Sequence, residues 1–445
     1  MKKRNFSPGT SLCVALLVLL SSFLSTACDA HPHQPKAENQ TPAAGERLEE
    51  SEQKETGIAE EISPPQLDEI QVWPLRQEKD DFFLIVEDQA PDFHDFQAVN
   101  LEEHFVPEKE QAYPAGVAFI PEMLDKDGLL WGEADASGTR TALKLASYDL
   151  TNQHFVSYDL GESLSEQAGL GVKYIDEDYV IYEVHDYIRQ SVYLDILQRE
   201  SGEQRNILTM EQAPSIHISQ VGAMKESFLI STFDPASGGY TVSSYDPRSR
   251  KRTAIENKNS GFPVYAHGKL YYLLVDNSKL RTQLVELDFE RQEKIVRLET
   301  NGKKQYLNGL YGTDQGVMLV MNQDGRYHWL LLDPADGFLH CLFTSGAAEA
   351  VDTAQGYYTW SGPSEQEERD RLEYFFVHPE DKMRYVNPSG RILCSESGFA
   401  VIHYRKPDRE IPKGAMYTDD NSSIRFYRYP LAEKCLGDSS LPGDE

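Results

Sequence analysis

Short apolar runs, bounded by Gly, Asp, Asn or Ser, recur along most of the chain at a nearly constant interval. One set ends in Asp or an equivalent residue: ASYD at Asp149, VYLD at Asp195, SSYD at Asp246, VELD at Asp288, LLLD at Asp333, FFVH at His378 and FYRY at Tyr429. The steps are 46, 51, 42, 45, 45 and 51 residues, so seven copies are present. A second ladder of apolar runs, starting at Leu129, Tyr179, Phe228, Leu270, Val317, Tyr357 and Phe399, keeps the same register. These runs are rich in Tyr, Val, Leu and Phe, and none has helical periodicity over a useful length, so they read as strands. An Asp at a strand exit accepts a hydrogen bond from backbone two residues on, which favours the turn that follows.

Each unit then holds four short strands, and four-stranded units of this length predict an all-β, seven-bladed β-propeller. The seventh unit has RILCSE, GFAVIHYR and SIRFYRYP, and the chain then ends in LGDSSLPGDE without a fourth strand. The orphan FQAVNLE at residues 96–102 is expected to supply it and close the ring, which removes the open sheet edges that invite aggregation. The propeller is therefore expected over 96–435, with a disordered tail at 436–445. Residues 67–95, with EIQVWPL and DFFLIVED, are expected as a leading segment forming an extra hairpin on the side of the ring.

Before the repeats the pattern changes character. Lys2, Lys3 and Arg4 precede an apolar run over 12–20, then small and hydroxyl residues lead to Cys28. Counted to Leu24 the run is about 13 residues, against ~20 for a helix that spans hydrocarbon, so it reads as a removable signal. Leu24-Ser25-Thr26-Ala27-Cys28 resembles the lipobox of bacterial lipoproteins. That resemblance implies a signal peptide over 1–27 and a diacylglyceryl Cys28 seated in the bilayer, with the rest of the chain on the extracytoplasmic side. An ordinary secretory signal cleaved after Ala27 is the other reading, and it leaves the cysteine at the junction unexplained. Residues 28–66 are almost devoid of large apolar side chains and are expected to be a disordered linker. Its root-mean-square reach is roughly 35 Å. Taken with the repeats, the chain resembles the extracytoplasmic propeller lipoproteins of bacteria, whose blades also carry YD-type strand exits. The resemblance brings no catalytic residues with it.

Charge narrows the partners. The net charge is −29, and loss of the signal with Lys2, Lys3 and Arg4 takes it to −32. Such a surface repels polyanions, which excludes nucleic acid and disfavours anionic headgroups. Basic proteins and metal cations are favoured. Cys341, Cys394 and Cys435 are an odd, scattered trio and form no disulfide framework.

Reaction motifs are missing: there is no Gly-x-Ser-x-Gly elbow, no Gly-rich phosphate loop and no His-Glu-x-x-His. NQDGRYHW, residues 322–329, reads as a hairpin turn. Asp135, Asp186, Asp234, Asp276 and Asp324 end the second strand of five consecutive units. Two readings follow: each Asp caps its own loop, or together they ring the channel mouth as a docking face for a basic partner or a cation such as calcium. Tyr187, Tyr240 and Tyr327 would add contact area, and Arg140, Arg189, Lys279 and Arg326 would partly neutralise the ring. The long loop of the seventh unit adds Arg405, Lys406, Arg409 and Lys413 as a second binding element. His217 and His267 are expected on adjacent inner strands, without the further ligands a metal needs. The function expected is a non-enzymatic binding or scaffolding module for a protein, peptide or glycan, with no resident cofactor. The alternative is an envelope hydrolase or lyase using channel-mouth carboxylates.

Overall fold

The computed structural model describes residues 73–79, 82–86, 90–113, 117–120, 128–135, 140–162, 168–210, 218–234, 239–256, 259–276, 281–300, 302, 304–313, 315–333, 337–363, 372–386, 390–403 and 422–429. They form seven sheets. Residues 117–162, 168–210, 218–256, 260–299, 305–345, 349–386 and 391–428 supply blades 1 to 7, with consecutive strands paired antiparallel in each.

Strand period sets what each blade offers its neighbours. In Tyr179–Asp186 of blade 2, Val180, Tyr182 and Val184 pack toward blade 1, while Ile181 packs toward blade 3. Seven apolar clusters lie one at each junction of successive blades. The cluster of Trp131, Tyr148, Leu393, Ile402 and Phe426 joins blade 7 back to blade 1, so the ring is closed. The protein is a seven-bladed β-propeller. Burying a large apolar side chain is worth about 1.5–3 kcal/mol. The bulkiest, Trp131, Trp329 and Trp360, are accordingly sealed at these junctions.

An N-terminal strand closes the ring, but it is not the expected one. Four short strands precede blade 1: β1 (Leu75–Arg76), β2 (Leu84–Val86), β3 (Gln97–Asn100) and β4 (Pro107–Tyr113). β1 pairs in parallel with Glu293–Glu299, the outermost strand of blade 4. β2 does the same on Phe338–Ser345 of blade 5, and β3 on Met383–Val386 of blade 6. One helical turn, Leu101–His104, follows, and β4 then pairs antiparallel with Ser422–Arg428 as the fourth strand of blade 7. The FQAVNLE segment thus adds a fifth strand to blade 6, and the described residues of 67–95 form no hairpin, because β1 and β2 pair with different blades. The leading segment is a belt around the rim of blades 4 to 6.

The physical reason lies in which side chains can be buried. Phe96 is sealed between blades 5 and 6, its ring 6.1 Å from Phe343, and this fixes β3 to blade 6. β4 reads PEKEQAY and buries only Tyr113. Its charges pair across the closing ladder, Glu108 with Arg428 at 2.9 Å and Glu110 with Arg425 at 3.1 Å.

Candidate functional site

Four of the five expected aspartates occupy equivalent places. Asp135, Asp186, Asp234 and Asp276 end the second strands Gly128–Asp135, Tyr179–Asp186, Ser227–Asp234 and Lys269–Asp276 of blades 1 to 4. Asp324 lies just beyond Gly316–Gln323 of blade 5, with a left-handed φ of 51°, and Gly325 follows at 89°. These two residues form the hairpin turn between Gln323 and Arg326.

Asp186 and Asp276 are engaged at their own loops, and Asp324 by a lysine that precedes the first strand of its blade. Asp186, 3% exposed, accepts from the Ile188 and Arg189 N–H groups at 3.1 and 2.9 Å, an Asx-turn, and lies 3.7 Å from the Arg189 guanidinium. Asp276 lies 3.8 Å from Arg281, and Asp324 is 3.8 Å from Lys304. Asp135 is half-buried, and the side chain of Asp234 lies outside the described residues. Among the described residues no three His, Cys, Asp or Glu side chains come together as a metal-ligand set.

The other candidates are dispersed. Tyr187 stacks on His185 at 6.1 Å and folds its hydroxyl over Gly169. Tyr327 is half-buried beside Tyr306, and the Tyr240 N–H donates to Asn259 at 3.0 Å. Arg326 bonds Thr344 at 2.9 Å and pairs with Asp92 of the leading segment, so it does not neutralise an aspartate of the loop face. His267 sits at φ 52° in the turn after Ser260–Ala266 rather than on that inner strand. Cys341 and Cys394 are unbridged thiols. Cys28, His217, Lys279, Arg405, Lys406, Arg409, Lys413 and Cys435 lie outside the described residues.

One of the aspartates belongs to a formed cavity. Between blades 1 and 2 a groove of about 220 Å³ is walled by Leu143, Leu160 and Glu162 of blade 1 and by Tyr182, Val184, Asp186, Tyr193, Asp195 and Gln204 of blade 2. The blades come close beneath it because Gly132 has no side chain: a Cβ there would meet the Leu170 carbonyl oxygen at 2.7 Å. Even-numbered residues of Tyr179–Asp186 and odd-numbered residues of Ser191–Gln198 face this groove, as the strand period requires.

Asp195 is where the repeat and the structure part company. In blades 1, 3 and 4 the expected exit residues Asp149, Asp246 and Asp288 do end their strands and accept from backbone N–H groups at 2.8–3.3 Å. In blade 2 the third strand is Ser191–Gln198, so Asp195 lies three residues inside it, with its side chain on the groove. Burial pushes its carboxyl above the ordinary range, although Asn206 donates to it at 2.7 Å. By contrast burial is outweighed at Asp149 by the Asn152 and Thr151 donors, and that carboxyl falls below its usual value. The groove therefore holds Glu162, Asp186 and Asp195, with tyrosine rings beside them. Arg140 lies 3.9 Å from Glu162, and its side chain is about half exposed, as is that of Arg189. Exposed pairs of this kind are worth about 0–1 kcal/mol.

The opposite face of blade 2 carries a buried Lys–Glu pair with a histidine beside it. Glu183, 4% exposed, lies 2.8 Å from Lys173 and 2.9 Å from His185. Burial alone would raise its carboxyl, but the charges and hydrogen bonds of Lys173 and His185 bring it down to about 2. Sequence periodicity did not single it out, because a lone Glu in YVIYEVHD looks like any strand residue.

No family model and no curated protein matches this chain. Solved structures resemble it at low identity and with TM-scores below 0.5. A protein from Listeria monocytogenes EGD-e is 12% identical, with 71% of this chain and 100% of that one covered, at a TM-score of 0.44. An oligogalacturonate lyase from Vibrio parahaemolyticus is 11% identical, with 72% and 99% covered, at 0.43. The β-propeller domain of the trilobed protease from Pyrococcus furiosus is 10% identical, with 64% and 91% covered, at 0.42. Likeness at this level carries no chemistry across, and the fold rests on the strand pairing itself.

Proposed function

We propose that this protein is a membrane-anchored, extracytoplasmic binding module that holds a cationic group of a protein or peptide partner in the groove between blades 1 and 2, without turning it over. The observation that supports this is Asp195. A carboxylate displaced from the repeat's turn position into a cavity, beside Glu162 and Asp186, is a repeated structural residue put to another use. Its raised pKa is the mark of a charge held in a poorly solvated place without a cation beside it. An ammonium or guanidinium seated there would supply the missing charge, and the Tyr182 and Tyr193 rings would give it apolar walls. The anchor rests on Cys28 and the lipobox-like residues before it.

The test is binding of a lysine-rich peptide to the wild type and to Glu162→Gln, Asp186→Asn and Asp195→Asn. Asn at 186 keeps the acceptor that caps the loop, so the fold is spared. A hydrogen bond to a charged group is worth about 1.5–3 kcal/mol, so Asp195→Asn should weaken binding roughly tenfold or more. Unchanged affinity in all three would sink the reading. The anchor has its own test: Cys28→Ala should move the protein from the detergent phase to the aqueous phase.

A further inference from the structure

We infer that the partner is an extended basic peptide that binds by adding a fifth, parallel strand to the outer edge of blade 1; the inference rests on the groove reading above. The chain itself shows what these edges accept. β1, β2 and β3 each run parallel along the outermost strand of a blade, through registers of two, three and four residues. Blades 4, 5 and 6 are five-stranded for that reason. The outermost strand of blade 1, His154–Glu162, is the longest of blades 1 to 3 and has no outer partner strand among the described residues. Such an edge presents a row of N–H and C=O groups ready for pairing.

Its position ties the edge to the groove. Leu160 and Glu162, on this same strand, form one wall of the cavity. A strand laid outside it would send every second side chain to the groove side, about 6.6 Å apart, alongside half-buried Val156, Tyr158 and Leu160. A Lys or Arg at the last of those alternate positions, beside Asp159, would extend its long side chain toward Glu162, with Asp195 across the groove, in a molecule of charge −29. Pairing would be confined to His154–Asp159. Beyond it the Gly161 N–H is taken by Asp159 at 2.8 Å, Gly161 sits at φ 86°, and the ladder to the third strand slips register. The edge of blade 2 is less suited, because Asn206 there spans Asp195 and the Leu194 and Leu208 carbonyls.

The experiment uses the full chain and four probes: a peptide alternating Lys and Thr, twins N-methylated at every Thr or at every Lys, and N-acetyl-lysine amide. Affinity is read by fluorescence anisotropy or calorimetry, and amide hydrogen exchange is followed over His154–Asp159. The parent peptide should bind, at least one twin should lose about tenfold or more through its missing N–H groups, and His154–Asp159 amides should gain protection with the parent and with a twin that keeps its affinity, but not with N-acetyl-lysine amide. If both twins bind like the parent while Asp195→Asn still weakens all of them, strand addition is overturned and the groove reading stands. If no lysine probe binds and the groove variants change nothing, both fall. Protection of His154–Asp159 before peptide is added, whether constant or rising with protein concentration, assigns the edge to the chain's own segment or to a second copy, and also overturns the proposal.

Discussion

Replacing Tyr113 by Ala should unfasten the ring, whereas Val99→Ala should not. Tyr113 ends the closing strand, is 8% exposed and meets Trp131 edge-on at 6.5 Å, across the junction of blades 7 and 1. Burial, with Glu133 close to its hydroxyl, pushes its pKa far above the ordinary value. Truncating a buried aromatic costs about 3–5 kcal/mol. Tyr113 stands at the end of its strand, where the cavity can partly collapse, so about 3 kcal/mol is expected. Val99 is half-buried on β3, and removing two methyl groups there should cost about 1 kcal/mol. Urea unfolding followed by circular dichroism and by tryptophan fluorescence measures both, with Glu110→Gln as a control for the partly exposed ion pair to Arg425, expected below about 1 kcal/mol. A Val99→Ala cost equal to or above that of Tyr113→Ala would refute β4 as the clasp and return that role to 96–102.

Three further outcomes are expected. Asp352, on the inner strand of blade 6, accepts from the Cys394 and Thr353 N–H groups at 2.8 and 2.9 Å, yet burial outweighs them and raises it to about 6. The folded chain then holds this proton more tightly than the unfolded one, so the contribution is full below about pH 4 and is lost as pH rises through 6, up to about 3 kcal/mol. The stability of wild type relative to Asp352→Asn should fall over that window; a rise would contradict the assignment. Gly398→Ala would put a Cβ 2.2 Å from the Tyr427 carbonyl oxygen and should cost about 1–3 kcal/mol, while Gly346→Ala meets nothing within 4 Å and should stay within about 0.5 kcal/mol. Glu286 is fully buried between Lys269 at 2.9 Å and Arg297 at 2.7 Å, and Lys269 also reaches Asp288 at 3.5 Å; Glu286→Gln removes the carboxylate the two cations share, and a loss of about 3 kcal/mol in unfolding free energy is expected.

Seven blades were legible because a blade's interior strands are sealed on both faces, so their apolar runs and turn residues repeat whatever the partner. Edge strands do not have that constraint. β4 is half solvated and carries Glu108, Lys109 and Glu110, so nothing in PEKEQAY announces its pairing, whereas FQAVNLE looks like a strand wherever it docks. The belt was unreadable for the same reason: β1 and β2 span two and three residues and owe their place to the backbones they meet. At the site, Asp186 was legible as a strand end. Asp195 was visible too but assigned to a turn, because LD in VYLDILQ matches the exits of the other units, and only the pairing of Ser191–Gln198 moves it inside the strand. Groove formation also depends on Gly132, whose role is a distance to another blade that no local pattern encodes.

The most direct measurement is the affinity of a lysine-rich peptide for wild type and for the combined Glu162→Gln, Asp186→Asn, Asp195→Asn variant, at low and high salt. Binding that is lost in the variant, with unfolding midpoint unchanged and with wild-type affinity falling as salt rises, is the predicted result. Equal affinity for both proteins would contradict a cation-binding groove between blades 1 and 2.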